Sequence, residues 1–298
     1  MKMSIAEANN MSGDIASSYQ KWNAFENELI YSNRYFPNVD IFDDIKGIIL
    51  RRKDTIVKGR TLFRAREYDL GNVYSINELD ESSYIIGEDC SKISKKLLYS
   101  VIIKAADTKF LPELMKNPVY AGIINEREEK SEWGFSKEES GKPDREKSLS
   151  NRANPKYISY LYLASDIDTA LAETRAQIEQ LFSVAQYETT KDLKIINLTH
   201  SFVEDKEIEE DFEIFTFYLN VHRAFSAPVY SNEKDYIVSQ YIAEYIKKLG
   251  FEGIVFDSSR KKGGINYTLF DDAACKFLRS ELHSVENIQI ESKRQLPL

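Results

Sequence analysis

From Ile158 onward the chain alternates short apolar runs with amphipathic helical patterns, and this alternation restricts its fold more than any other feature. ISYLYLAS (158–165) reads as a strand, being rich in branched and aromatic side chains. A helical pattern follows from Asp166 to Glu179, opened by Ser165 as N-cap with Asp168 three residues on. LFSVAQYETT and LKIINL read as successive strands, and IEEDFEIFTFYLNVHRAF as a helix. NEKDYIVSQYIAEYIKKLG is a second helix, with Ile237, Tyr241 and Tyr245 aligned and Gly250 as its stop. FEGIVFDSS is a strand, and NYTLF, after the turn-like KKGGI, is the last one. Strands and helices in this order predict an α+β protein with a mixed sheet and flanking helices. No internal repeat is present.

The first half is less regular. DIASSYQKWNAFENELI places Ile15, Tyr19, Trp22, Phe25 and Leu29 on one helical face, and IFDDIKGIILRR aligns Ile41, Ile45, Ile48 and Ile49. These two helices form an N-terminal extension that is either scaffold or a dimer or partner surface. TLFRARE (61–67) reads as a strand, and SKISKKLLYSVIIKAAD as a helix. The segment 125–150 is dense in both signs of charge, with only Trp133, Phe135 and Leu149 as large apolar residues. It reads as a solvated loop or as a flap that closes on a ligand through Trp133.

Charge narrows the function. Lys and Arg number 40 against 48 Asp and Glu, a formal net charge of −8, which disfavours non-specific nucleic-acid binding. No apolar run reaches the roughly 18–20 residues of a membrane span, and the start has no apolar signal region. Cys90 and Cys275 are the two cysteines, too few for a disulfide framework. A cytoplasmic protein acting on a small anionic ligand is the expectation.

Familiar catalytic motifs are missing. There is no GxGxxG, Walker loop, HExxH or CxxC, and Ser258 has no GxSxG elbow. His200, His222 and His283 lie in no ligand spacing, so no metal site is expected. Gly263-Gly264 alone is a weak phosphate-loop signal and reads chiefly as a hairpin turn. The chemistry falls to Arg, Glu, Tyr and Ser. Singly, each candidate has a plain reading. Arg64 in its strand pairs with a carboxylate, Arg152 is a loop cation, Tyr162 is core, Glu173 is solvated helix surface, and Ser258-Ser259 is a turn. Their joint order is what raises another reading.

LFRAR, RANP–KYISYLYLASDIDTALAE, FSAP, DYIVSQYIAEYIKKLGFEGIVFDSS and GGINYTLF together resemble the RES-domain family, toxins of bacterial RES–Xre toxin–antitoxin pairs. The likeness spans roughly 61–270 and is densest over 152–173, leaving the first sixty residues and the charged 119–150 insertion outside. The division it implies is a helical extension (1–60), a RES catalytic domain (61–285) with that insertion, and a tail (286–298). It implies an ADP-ribosyltransferase-like fold and cleavage of the nicotinamide N-glycosidic bond of NAD, as glycohydrolase or phosphorylase, without metal. The alternatives are mono-ADP-ribosyl transfer to a protein, and a non-catalytic binding module. The family's arginine, glutamate and serine fall on Arg152, Glu173 and Ser258, with Ser259 competing for the serine. Tyr162 matches the ring-stacking tyrosine, and Arg64 the arginine of the first core strand. NAD is the small-molecule partner implied; an Xre-type antitoxin and a homo-oligomer are the protein partners.

These residue types suit the task. A guanidinium forks onto pyrophosphate oxygens. A tyrosine face stacks on nicotinamide for roughly 1–3 kcal/mol, by analogy with base stacking. Cleavage develops oxocarbenium character at the ribose. A carboxylate held beside it is worth roughly 2.7–4 kcal/mol.

Overall fold

A computed structural model describes residues 5–38, 42–69, 95–106, 111–200, 212–228 and 233–288. Ile41, Cys90, the first residues of two expected helices (91–94 and 208–211) and most of the 286–298 tail lie outside that description. The described helices are α1 (Ile5–Asn27), α2 (Phe42–Arg51), α3 (Lys95–Ala105), α4 (Leu111–Leu114), α5 (Pro118–Lys130), α6 (Lys137–Ser140), α7 (Ile167–Glu173), α8 (Phe212–Ser226) and α9 (Ile237–Lys248). The strands are β1 (Lys53–Ile56), β2 (Thr61–Glu67), β3 (Leu161–Ala164), β4 (Leu181–Thr189), β5 (Leu193–Asn197), β6 (Gly253–Asp257), β7 (Ile265–Leu269) and β8 (Cys275–Ser284).

The chain divides into two compact units, each built from three separate stretches of sequence. The first holds residues 1–64, 141–175 and 186–277. All eight strands have residues in it, and among the described residues they form one mixed sheet in the order β1-β5-β6-β7-β3-β2-β4-β8. β5 and β6 are parallel neighbours. Such a pair needs a long crossover, supplied here by α8 and α9. β6 and β7 form an antiparallel hairpin, and β7 continues against β3 with Tyr162 opposite Thr268 and Ala164 opposite Asn266. The α+β class expected from the patterning is what this unit displays.

Both N-terminal helices are part of the first unit's core. Trp22, Phe25 and Leu29 of the first segment join Ile45, Ile48 and Ile49 of the second in one buried cluster with Phe217, Tyr218, Val221 and Phe225 of α8. The Trp22 and Phe217 rings meet edge-on at 5.4 Å. Their buried apolar residues thus pack within this unit. Tyr19 departs from the expected apolar face and is 60% exposed. α9 ends at Lys248, and Gly250 beyond it takes φ +86, a conformation that favours glycine.

The second unit holds residues 65–140, 176–185 and 278–298. Its core gathers Tyr68, Leu98, Tyr99, Ile102, Leu114, Tyr120 and Ile123. The charged segment expected as a loop or flap is folded instead. Residues 118–130 form α5, capped by Asn117 with proline in the first turn. The Arg127 guanidinium stacks 3.8 Å from the Tyr99 ring and donates to the carbonyls of Glu132 and Gly134. The Trp133 amide donates to Ser280 O, and the Phe135 amide to Ser183 Oγ. Main-chain anchoring explains how so few apolar residues hold this segment in place. Within the first unit, Ser148 is buried and donates to Ile158 O, fixing the stretch before RANP.

Candidate active site

α7 is shorter than its sequence pattern. Asp166, extended at φ −154, is the N-cap: its carboxylate accepts the Thr169 amide at 2.9 Å. Ser165, the expected cap, instead donates its hydroxyl to Asp166 Oδ2. The helix stops at Glu173 because Arg175, two residues on, turns to φ 58. That early stop puts the Glu173 side chain at the exposed C-terminal end of the helix.

The β6–β7 hairpin delivers the next groups. Its turn, 258–264, is closed by the Ser258 amide on Gly264 O at 2.8 Å and the Gly264 amide on Lys261 O at 3.0 Å. Gly263 sits at φ +76, and a Cβ on Gly264 would come within 2.6 Å of Thr169 Oγ1. Only a glycine lets this turn lie against the start of α7. The hairpin reading of Gly263-Gly264 holds.

Two donors converge on one carboxylate oxygen. Ser258 Oγ donates to Glu173 Oε1 at 2.6 Å, and Asn266 Nδ2 donates to the same oxygen at 2.7 Å. Glu173 Oε2 takes no hydrogen bond from the described residues. The acid is thus held by one oxygen and open at the other. Ser259 makes no side-chain hydrogen bond among the described residues, so the hydroxyl that meets Glu173 belongs to Ser258.

The RANP loop is a second tight assembly. Arg152 donates to Ala224 O at 2.9 Å and to Ala227 O at 2.7 Å, capping the C-terminal end of α8 with its guanidinium. Cations are favoured there by the helix dipole. Burial lowers the Arg152 pKa, while the charges of Tyr236, Glu173 and Tyr162 work in the opposite sense. Arg152 and Glu173 therefore share one electrostatic field. Tyr162 donates its hydroxyl to Asn154 Oδ1 at 2.6 Å and accepts the Ala153 amide at 3.1 Å. Burial pushes its pKa well up, against the Ala153 hydrogen bond and the Arg152 charge. Gln240 Nε2 reaches Ser150 Oγ, Asn151 O and Asn154 O, and Ser239 Oγ donates to Arg152 O.

The Arg64 guanidinium donates to Gly141 O, at the start of the stretch leading to RANP. Of the six residues singled out in the sequence, Glu173 and Ser258 touch, Arg152 couples to Glu173 electrostatically, and Tyr162 builds the loop that carries Arg152.

Several participants carried no sequence signal of their own. Asn266 is a lone amide in a strand, reached only once the hairpin register is known. Asp166 and Lys261, joined at 2.8 Å, are also new. Two of the three histidines, His200 and His222, unremarkable in spacing, are drawn toward β6. The His200 amide donates to Asp257 Oδ2 at 2.7 Å, and the His200 and His222 rings lie 5.9 Å apart. His222 Nδ1 lies 2.8 Å from Leu198 O, so it carries a proton. Among the described residues no group of three His, Cys, Asp or Glu side chains could hold a metal ion. Cys275 is buried and its thiol is pushed up to about 12 by that burial, which makes it inert.

The sequence model of the RES domain matches residues 127–292, more than half of the chain. The match takes in most of the charged 119–150 segment, beyond the likeness expected from the motifs, and it begins downstream of Arg64. No curated protein matches the chain.

Proposed function

We propose, from the premise that the chain belongs to the RES domain family with its ADP-ribosyltransferase-like α+β fold, that it cleaves the nicotinamide–ribose bond of NAD at Glu173. The observation carrying this reading is the half-engaged carboxylate. Ser258 and Asn266 fix Oε1, while Oε2 is open to a ribose hydroxyl and to positive charge developing at the anomeric carbon.

In the proposed reaction the C1′–N1 bond breaks and its electron pair stays on the ring nitrogen, so nicotinamide leaves neutral. The ribosyl carbon takes on oxocarbenium character, which a fixed anion stabilises in a preorganised way. Water adds through its oxygen and loses a proton to solvent, giving ADP-ribose. Phosphate in the same position gives the ADP-ribose phosphate ester. Arg152 supplies positive potential for the pyrophosphate from its anchor on α8. Tyr162 holds RANP by its hydroxyl, and we assign to nicotinamide the accessible part of its ring, which otherwise packs against the core. Arg64 steadies the approach to RANP through Gly141.

The setting proposed is that of a toxin: NAD loss harms the cell unless a protein antitoxin of the Xre type covers Glu173. No described helix is long and apolar enough to cross a membrane.

The test is product analysis from the purified full chain and NAD, with and without phosphate. Free nicotinamide with ADP-ribose or its phosphate ester is the expected result. The Glu173→Gln variant should lose on the order of 10²–10³-fold in rate. Label appearing on protein would move the activity to mono-ADP-ribosyl transfer. No NAD consumption by the wild type would leave a binding module.

A further inference from the structure

The Ser258 hydroxyl has its direction imposed on it. Its oxygen accepts the backbone N–H of Arg260 at 3.1 Å and of Lys261 at 3.0 Å. A hydroxyl has two lone pairs and one proton, so those two bonds fill its acceptor capacity. The proton is left with one partner, Glu173 Oε1. The bond that orients the acid therefore depends on how the 258–264 turn presents its amides.

Lys261 fastens that turn. Its ammonium reaches Asp166 Oδ1 at 2.8 Å and Asp168 Oδ2 at 3.0 Å, the N-cap and a first-turn residue of α7. The Asp168 side chain is 79% exposed, and a pair with it alone would be worth little. Asp166 is a firmer anchor. It also accepts the Thr169 amide, the Thr169 hydroxyl and the Ser165 hydroxyl. Ser165 in turn accepts the Ile265 amide through its side chain and donates its own amide to Ile265 O. Thus α7 seizes the turn at its N-terminal end, and the turn seizes Glu173 at its C-terminal end.

We propose that Lys261 is a positioning residue for the Glu173 carboxylate. Bound to Asp166, it fixes the two amides that aim Ser258 at Oε1, and so keeps Oε2 facing the ribose. This rests on the NAD-cleavage reading of Glu173. A salt bridge that only added stability would lower the unfolding midpoint and leave turnover per folded molecule unchanged. A positioning residue lowers that turnover, which relies on the orientation of the acid, and leaves substrate binding, which relies on other groups.

The experiment compares the full chain with K261M and K261R, reading nicotinamide release, the unfolding midpoint and amide hydrogen exchange. K261M keeps the length and apolar stem but loses the charge. A misplacement of about 1 Å costs on the order of 10²-fold, so kcat of K261M should fall by about 10- to 10²-fold. Its KM for NAD should stay within about twofold, the range of a neutral surface change. K261R should recover most of the rate, and exchange at the backbone amides of positions 260 and 261 should accelerate in K261M alone. Wild-type kcat in K261M overturns the proposal. So does a loss that K261R does not rescue and that a lowered unfolding midpoint accompanies. If the wild type releases no nicotinamide, the NAD reading fails and exchange alone decides. Faster exchange at both amides in K261M then upholds the device as the one orienting Ser258, and unchanged exchange overturns it.

Discussion

Ser258 donates its hydroxyl proton to Oε1 of Glu173 at 2.6 Å, joining residues 85 positions apart in the chain. The Ser258→Ala variant should remove one of two anchors on the acid. A hydrogen bond to a charged group is worth about 1.5–3 kcal/mol, so turnover should fall by about 10- to 10²-fold in a nicotinamide-release assay. Ser259→Ala touches no such bond and should remain within about twofold. Equal effects from the two serines would refute the assignment to Ser258.

Tyr162→Phe keeps the ring and deletes the hydroxyl. The Ala153 amide then loses its acceptor, and Ala153 is fully buried. An unsatisfied buried donor costs about 1–3 kcal/mol, to be read as a lower unfolding midpoint. KM for NAD should change by less than about twofold if the ring face serves nicotinamide. Tyr162→Leu should raise it by far more.

Arg152 reaches two carbonyls at the end of α8 with one planar fork. Lysine offers a single point of charge and reaches one of them. Arg152→Lys should therefore lower the unfolding midpoint, and Arg152→Ala should cost about 1.5–3 kcal/mol. Chemical denaturation followed by the fluorescence of Trp22 and Trp133 would measure both.

The Asp166–Lys261 pair sets a pH window. Burial raises the Asp166 pKa, but Lys261, Ser165 and Thr169 outweigh it and hold the carboxyl well below the ordinary range. Burial lowers the Lys261 pKa, but Asp166 and Asp168 outweigh that and raise it. The depressed acid stabilises the fold above its unfolded pKa of about 3.9, and that gain is lost as pH falls through the folded value. The raised base stabilises below about 10.4, and loses its gain as pH rises through the folded value. Asp166→Asn keeps the cap and removes the charge. Its midpoint should lie below the wild type at pH 7, and the gap should close as the pH drops below about 4. A gap independent of pH would sink this assignment.

Much of the fold was legible in the chain. TLFRARE is β2 from its first residue to its last. The apolar repeat of Ile45, Ile48 and Ile49 is buried as expected. Two strands gave no such pattern. β1 is the four-residue KDTI, too short and polar to stand out. β8 ends the sheet order and carries Lys276, Arg279 and Glu281, which break up any apolar alternation. α7 looked longer because TALAETR continues its periodicity, whereas the stop at Arg175 is a backbone event that spacing does not record. In the site, Glu173 and Ser258 were visible as residues, and their contact was not. It depends on the glycine-shaped turn and on hairpin register, which also bring in Asn266. Lys261 looked like one more surface lysine, because its partner lies 95 residues earlier.

The interleaving of the first unit has a consequence for how the protein is made. Its core needs Trp22 and Phe25 from near the start, and its acid needs Asn266 from near the end. A fragment cut at the RES match would begin at residue 127 and leave Phe217 without the indole that covers it. On the ribosome, likewise, Glu173 stays unanchored by that amide until β7 has emerged from the exit tunnel. Under the proposed NAD-cleaving reading, a nascent chain that stops short of β7 holds its acid by one anchor at most, so activity waits on the last hairpin of the sheet.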